Sequence, residues 1–347
     1  MVSKDIHVVG DTITKGAIFY TSFDNSNLPP SFTKERIFSI RRPNSPSWAK
    51  DERYLIDDPN QFILKEKGAM LRSWDVALQR QVAIKFKPPD IHSLPSFSEP
   101  RTISKFSHPN IPQVYDFFQL KTATGDTPSD FIVMQWIEGM SGADITIMFN
   151  EKNCLLPVET IEFIQDIGGA LDHVHNQGFV HRDIRPANVI RQTTNSSWFL
   201  CDYDQTLTVD ECNKLNDIDY APGQIEFIAP ELLYGISPPS IASDIFAFNS
   251  TVYNLLTGYN PFSDNLYTVP LKNTSTLSPK LYRESIYASR INNFPRHRLA
   301  NLPHTYLWKL QQSTPLDNYF DRGLAKNPAD RPTSIRDCID ELTSILK

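Results

Sequence analysis

At 347 residues, with 40% hydrophobic and 11% aromatic side chains, the chain has material for one large domain with an appendage or for two modest domains. A net charge of −6 argues against a general nucleic-acid binder, and no stretch approaches the ~18 uninterrupted apolar residues of a membrane span. The start carries no secretory pattern, and the four cysteines (Cys154, Cys201, Cys212, Cys338) form no C-x-x-C pair, so free thiols in a reducing cytoplasm are expected.

Residues 1–60 mix short apolar pieces with turn formers, as in Leu28-Pro29-Pro30 and Arg41-Arg42-Pro43, and read as a largely irregular extension with a strand or two packed on the rest. Phe62-Ile63-Leu64-Lys65, Gln81-Val82-Ala83-Ile84-Lys85 and Phe131-Ile132-Val133-Met134 read as strands. After Gly139 the pattern turns helical: Val158, Ile161, Ile164, Ile167, Leu171 and Val174 recur at three- and four-residue steps, and Gly178 follows where the chain would leave the helix. Ile335, Ile339, Leu342 and Ile345 line a closing helix, with Ser334 and Asp337 spaced as a capping box. Strands first and helices after predict an α+β chain, a small β-rich lobe followed by a larger helical one.

The chemistry concentrates in His181-Arg182-Asp183-Ile184-Arg185-Pro186-Ala187-Asn188, where a carboxylate stands five residues before an amide, just after an amphipathic helix. Phosphoryl transfer needs a group that orients the incoming hydroxyl and oxygen ligands for a metal ion. Asp183 suits the first role and Asn188 the second. Asp202, following the apolar run Trp198-Phe199-Leu200, is a second carboxylate suited to hold Mg²⁺.

That segment resembles the H-R-D-x-x-x-x-N catalytic loop of protein kinases, with Asp202-Tyr203-Asp204 in the place of D-F-G. Val82-Ala83-Ile84-Lys85 resembles the V-A-I-K strand, Glu99 stands where the αC glutamate pairs with that lysine, and His108-Pro109-Asn110-Ile111 matches the turn that follows. Met134 through Gly139 is similar to the gatekeeper and hinge. Ala229-Pro230-Glu231 matches A-P-E, with Arg331 as its ion-pair partner, and Asp244 matches the helix-F aspartate that braces the catalytic-loop backbone. The resemblance, to the Hanks-type serine/threonine kinases, covers roughly residues 61–347. It implies a bilobal fold: an N-lobe at about 61–134, a hinge at 135–139 and a C-lobe at 140–347. It also implies ATP and Mg²⁺ as cofactors. Asp183, Arg185, Lys85 and Glu99 would be catalytic, and Asn188 and Asp202 would hold metal. Ala83, Gly68, Met134, Gln135, Ile137 and Ile190 would join Lys85 around the nucleotide. His181, Arg182, Tyr203, Glu231, Asp244 and Arg331 would have structural or regulatory roles.

Several positions depart from the family pattern. Counting back from Lys85, the three glycines of the phosphate loop fall on Ile63, Lys65 and Gly68, so one glycine remains. Tyr203 brings a hydroxyl that needs a partner, Asp204 replaces a glycine, Arg185 replaces a lysine, and Gln224 replaces a threonine. In the activation segment, one of Asp210, Glu211, Asp217 and Asp219 could pair with Arg182 in place of a phosphate, and Thr206, Thr208 and Tyr220 are candidate phosphosites. The expected activity is transfer of the ATP γ-phosphate to a protein hydroxyl, of serine or threonine, in the cytoplasm. The alternatives are a pseudokinase scaffold and, more distantly, a small-molecule phosphotransferase. Nucleic-acid and membrane partners are not expected; residues 1–60 are where a regulatory partner could dock.

Overall fold

In the computed structural model the described residues are 7–9, 12–14, 38–41, 52–56, 62–65, 68–87, 98–121, 128–148, 155–215, 224–233, 237–262, 298–299 and 309–347. The chain divides into two units, residues 1–105 with 112–137, and residues 106–111 with 138–347. Besides a short hairpin of β1 (His7–Val9) and β2 (Thr12–Thr14), the first unit holds one antiparallel sheet. Its strands are β3 (Phe38–Arg41), β4 (Glu52–Ile56), β5 (Phe62–Lys65), β6 (Gly68–Asp75), β7 (Arg80–Lys87), β8 (Val114–Lys121) and β9 (Pro128–Gln135). They run in the order β3-β4-β6-β7-β9-β8, with β5 also paired to β6.

Two strands from the segment read as an extension, β3 and β4, are thus hydrogen-bonded into this sheet, β4 directly to the end of β6 through Tyr54↔Asp75. Tyr54 is fully buried and stacks on Phe118 of β8 with ring centroids 6.0 Å apart, while its hydroxyl donates to Asp116 Oδ2 at 3.0 Å. Four strand-to-strand steps separate β4 from β8, a path of ~19 Å in a flat sheet. The contact therefore requires the sheet to curl strongly, in the sense natural twist allows. Phe118 continues the stack to Phe131 at 5.3 Å, and Phe131 packs at a tilt on Phe86 at 5.2 Å. These rings, with Leu71, Val82, Ile84 and Val133, make the core on one face of the sheet. Alternation along β7 puts Ala83 on the other face, with Ile132 and Met134.

The second unit is built on helices. α2 (Gly142–Met148) is followed by α3 (Pro157–Asn176), whose buried face is Thr160, Phe163, Ile164, Ile167, Ala170, Leu171 and Val174. The periodicity located this helix, but its first turn lies outward: Val158 is exposed, and Phe163 fills the core. Gly178 follows with φ +78°, the left-handed value that favours glycine after a helix end. The helix α6 (Ile241–Thr257; α4 and α5 are given below) is buried at every residue from Ser243 to Thr257, as befits a helix with neighbours all around it. The closing helix Ile335–Leu346 has the Ser334/Asp337 capping box, and buries Leu346 where the pattern pointed to Ile345.

Candidate active site

The first unit supplies a buried ion pair. Lys85 lies mid-strand in β7, and its Nζ is 2.7 Å from Glu99 Oε1, with side chains 5% and 3% exposed. Glu99 sits in the six-residue helix α1 (Ser98–Ile103). Pro100 is compatible with that helix because it falls in the first turn, where the N–H it lacks would have no intrahelical acceptor. A second ammonium, Lys87 Nζ, lies 3.4 Å from Glu99 Oε2. Sequence reasoning passed over Lys87; the signal was its i+2 spacing from Lys85, which returns it to the same face of the strand. Ala83 and Met134 face each other across β7 and β9, and Ile137 is buried. Gln135 donates its N–H to the Gln113 carbonyl at 2.8 Å. Gly68 opens β6 in register with Lys65, so just residues 66 and 67 join β5 to β6.

The second unit carries the catalytic-loop residues, between β11 (Phe179–Val180) and β12 (Val189–Gln192). The loop hangs from Asp244 of α6. The Asp244 carboxylate accepts the N–H of His181 at 2.7 Å, the N–H of Arg182 at 2.9 Å and a bond with His175 Nε2 at 2.8 Å. Burial alone would raise the Asp244 pKa, but the His175 bond, the neighbouring histidines and the backbone N–H outweigh it and hold the carboxyl below its usual range. Arg182 takes φ +72° and Asp202 φ +66°, left-handed conformations that a non-glycine residue holds only where its surroundings impose them. For Arg182 the Asp244 bond is that constraint. His175, in the last turn of α3, is a further bracing residue that motif spacing did not single out.

Asp183 is fixed from several sides. Its N–H donates to His181 Nδ1 at 3.3 Å. Asn188 Nδ2 donates to its carbonyl at 2.9 Å and to Oδ2 at 2.6 Å, and Arg185 Nε lies 3.2 Å from Oδ1. His181 is fully buried, and burial pushes its pKa down to about 4 against the opposing pull of Asp244 and Asp202. The ring is therefore neutral at physiological pH, with Nδ1 as acceptor. Asp202 follows β13 (Trp198–Leu200), which pairs with β12, and the chain is pinned by Cys201 N–H donating to the Asn188 carbonyl at 2.8 Å. Ile190 lies on β12 opposite Phe199. The Tyr203 hydroxyl has its partner, the Leu200 carbonyl at 3.2 Å, and its ring packs against His181 and Phe106 at 4.8 and 5.6 Å.

Past Asp204, β14 (Leu207–Thr208) pairs with β11, and Thr208 caps the short helix α4 (Val209–Cys212). Glu211 closes the capping box on Thr208, and Asp210 is exposed. Arg182 Nη1 donates to the Gln205 carbonyl at 3.1 Å. Asp217, Asp219 and Tyr220 lie outside the described residues. Thr206 is 3% exposed, which closes it to modification in this conformation. Beside Asp183, a small, shallow crevice is lined by Gln224, Phe227, Ile228 and Leu232 among others. Glu231, in α5 (Pro230–Leu233), forms a two-pronged pair with Arg331, both bonds 2.7 Å.

A divalent cation fits the second unit on one observation. Asn188 Oδ1 is buried and has no hydrogen-bond partner among the described residues, while Asn188 Nδ2 is fully used. A buried orphan carbonyl oxygen next to a carboxylate is costly by itself and is satisfied by a hard cation.

The architecture is the α+β bilobal fold of protein kinases, a β-sheet unit followed by a helical unit. The sequence profile of the protein kinase domain matches residues 68–343. The chain is 30% identical over 194 residues to the serine/threonine-protein kinase PknB of Mycobacterium tuberculosis, 54% of this chain and 30% of that protein. Against PknB of Mycobacterium leprae the identity is 29% over 193 residues. Against PknE of Mycobacterium bovis it is 24% over 269 residues, 76% of this chain and 41% of that protein. The chain thus spans about a third of the length of the curated relatives it matches. It belongs to the protein kinase family. The family uses ATP with a divalent metal and acts on proteins. Among the described residues no helix is long and apolar enough to cross a membrane.

Proposed function

We propose that the chain transfers the γ-phosphate of Mg-ATP to a serine or threonine hydroxyl of a protein substrate in the cytoplasm, and that residues 1–60 offer a docking place for a regulatory partner. The observation that carries the reading is the Asp183–Asn188 unit with its orphan Oδ1. One residue presents a carboxylate fixed by an amide, and the same amide keeps its carbonyl oxygen for a metal ion. Asp183 orients the acceptor hydroxyl and takes its proton. Arg185, on the other carboxylate oxygen, supplies positive charge next to the transferring group. Lys85, oriented by Glu99, holds the α- and β-phosphates, while Ala83, Met134, Gln135, Ile137 and Ile190 accommodate the adenosine and Gly68 the edge of the phosphate loop. Mg²⁺, when bound through Asn188 and Asp202, neutralises charge on the phosphates. The glutamate–arginine brace of Glu231 and Arg331 supports a protein rather than a small molecule as acceptor.

A second reading, a pseudokinase scaffold, rests on Ile63 and Lys65 standing where the phosphate loop has glycines and on Asp202-Tyr203-Asp204 in place of D-F-G, because side chains there keep backbone amides away from phosphates. The decisive experiment compares phosphate transfer from labelled ATP by the wild type and Asp183→Asn, with Mg²⁺ and generic protein substrates. A wild-type signal that Asp183→Asn removes supports the kinase. Equal and negligible transfer by both removes that reading in favour of the scaffold, and a thermal-shift titration with Mg-ATP then tells a nucleotide-binding scaffold from an empty one.

A further inference from the structure

Glu99 is held by two lysines. Lys85 takes Oε1 at 2.7 Å and Lys87 takes Oε2 at 3.4 Å, so each carboxylate oxygen has its own ammonium. The trio carries one net positive charge, and it is dry: Glu99 is 3% exposed, Lys85 5% and Lys87 17%. The helix that carries Glu99 has six residues with a proline third, far too short to be stable on its own hydrogen bonds. The position of Glu99 must therefore be imposed from outside the helix, and strand β7, in the middle of the sheet, is the rigid element that does so. Lys85 alone would be a poor clamp during phosphotransfer. Its ammonium is then divided between Glu99 and an anionic phosphate, and each bond weakens the other.

We propose that Lys87 is a positioning residue for the phosphotransfer proposed above, an inference that rests on the kinase reading: it fastens the second oxygen of Glu99, so that Lys85 can engage a polyphosphate without releasing the glutamate. Lys87 also stands opposite Asp130 in the β7–β9 register, and Asp130 accepts from Gln119 Nε2 at 2.8 Å. A role confined to that cross-strand neighbour is the competing account.

The experiment is a pair of double-mutant cycles on the full chain, Lys87→Met with Glu99→Gln and Lys87→Met with Asp130→Asn, plus Lys87→Arg. Three quantities are read: the Kd of a fluorescent ATP analogue with Mg²⁺, KM for ATP against kcat, and the urea unfolding midpoint. Lys87→Met is expected to weaken nucleotide binding by about tenfold to 150-fold, the worth of a hydrogen bond between charged groups. KM for ATP should move more than kcat, Lys87→Arg should restore both, and the effect should vanish in the Glu99→Gln background. Three results would overturn the proposal: affinity unchanged by Lys87→Met, an effect undiminished by Glu99→Gln, or coupling to Asp130 instead. If the wild type binds no nucleotide, the kinase reading fails by itself. The unfolding midpoints then still decide whether Lys87 and Glu99 are coupled, and strict additivity there would sink the clamp.

Discussion

Arg331 and Glu231, one hundred residues apart, meet in a two-pronged ion pair in which the arginine side chain is 0% and the glutamate 4% exposed. The remaining guanidinium donors go to the carbonyls of Ala325, Ala242 and Lys326, at 2.8, 2.9 and 3.2 Å, and the group lies over Phe246, 5.0 Å from the ring centroid. Every N–H of the fork is used, which a lysine cannot reproduce.

Arg331→Met leaves the Glu231 carboxylate buried without a counter-charge, and Arg331→Lys keeps the charge but forfeits most of the carbonyl bonds. Arg331→Met should lower unfolding free energy by ~3–5 kcal/mol, and Arg331→Lys should recover less than half of it. Urea titration followed by tryptophan fluorescence is the measurement.

The buried His181 predicts a pH dependence of stability. Its folded pKa is depressed from 6.5 to about 4, so the unfolded chain binds a proton there that the native chain refuses. The associated stability is whole above pH 6.5 and is lost progressively as pH falls towards 4, ~3 kcal/mol in all. Asp244 adds a loss of the same sign lower down, beneath its ordinary 3.8. Unfolding free energies at pH 7, 6 and 5 should decline in the wild type and decline less steeply in His181→Phe, where His108, also held below its ordinary range by burial, still contributes.

Tyr203→Phe removes one hydrogen bond, to the Leu200 carbonyl, and leaves the packing on His181 and Phe106. The expected cost is ~1 kcal/mol of stability, with kcat unchanged within about twofold. A large fall in kcat at unaltered stability would mean that the hydroxyl serves more than this bond.

Removing the Asp183 carboxylate tests the reaction itself. Asp183→Asn should reduce kcat by ~10²–10⁴ while leaving the Kd for nucleotide within about threefold, since general-base function contributes to the transition state and little to ground-state binding.

The motif-bearing residues were legible because chemistry restricts them to few residue types at fixed spacing. Lys85 with Glu99, Glu231 with Arg331 and Asp244 under the catalytic loop lie as the family resemblance implied, and Asn188 bonds the Asp183 carboxylate. Less legible were interactions made by common residues without a fixed spacing. Lys87 and His175 belong to no motif, so the motif pattern did not single them out. The outward first turn of α3 was lost because periodicity registers an apolar face but not where neighbours stop covering it, and Val158 lies past that limit. Tyr54 was hidden for another reason: its partners Asp116 and Phe118 are some sixty residues further on, and no local pattern reports the curl of a sheet.

That curl bears on where the chain can be cut. Family likeness starts at residue 68, yet Tyr54 lies before it and seals the side of the sheet formed by Phe86, Phe118 and Phe131. A fragment trimmed to the family boundary would leave Asp116 without its phenol and open a seam of bare rings to water. Such a fragment should clump in solution even if each of its catalytic groups is intact.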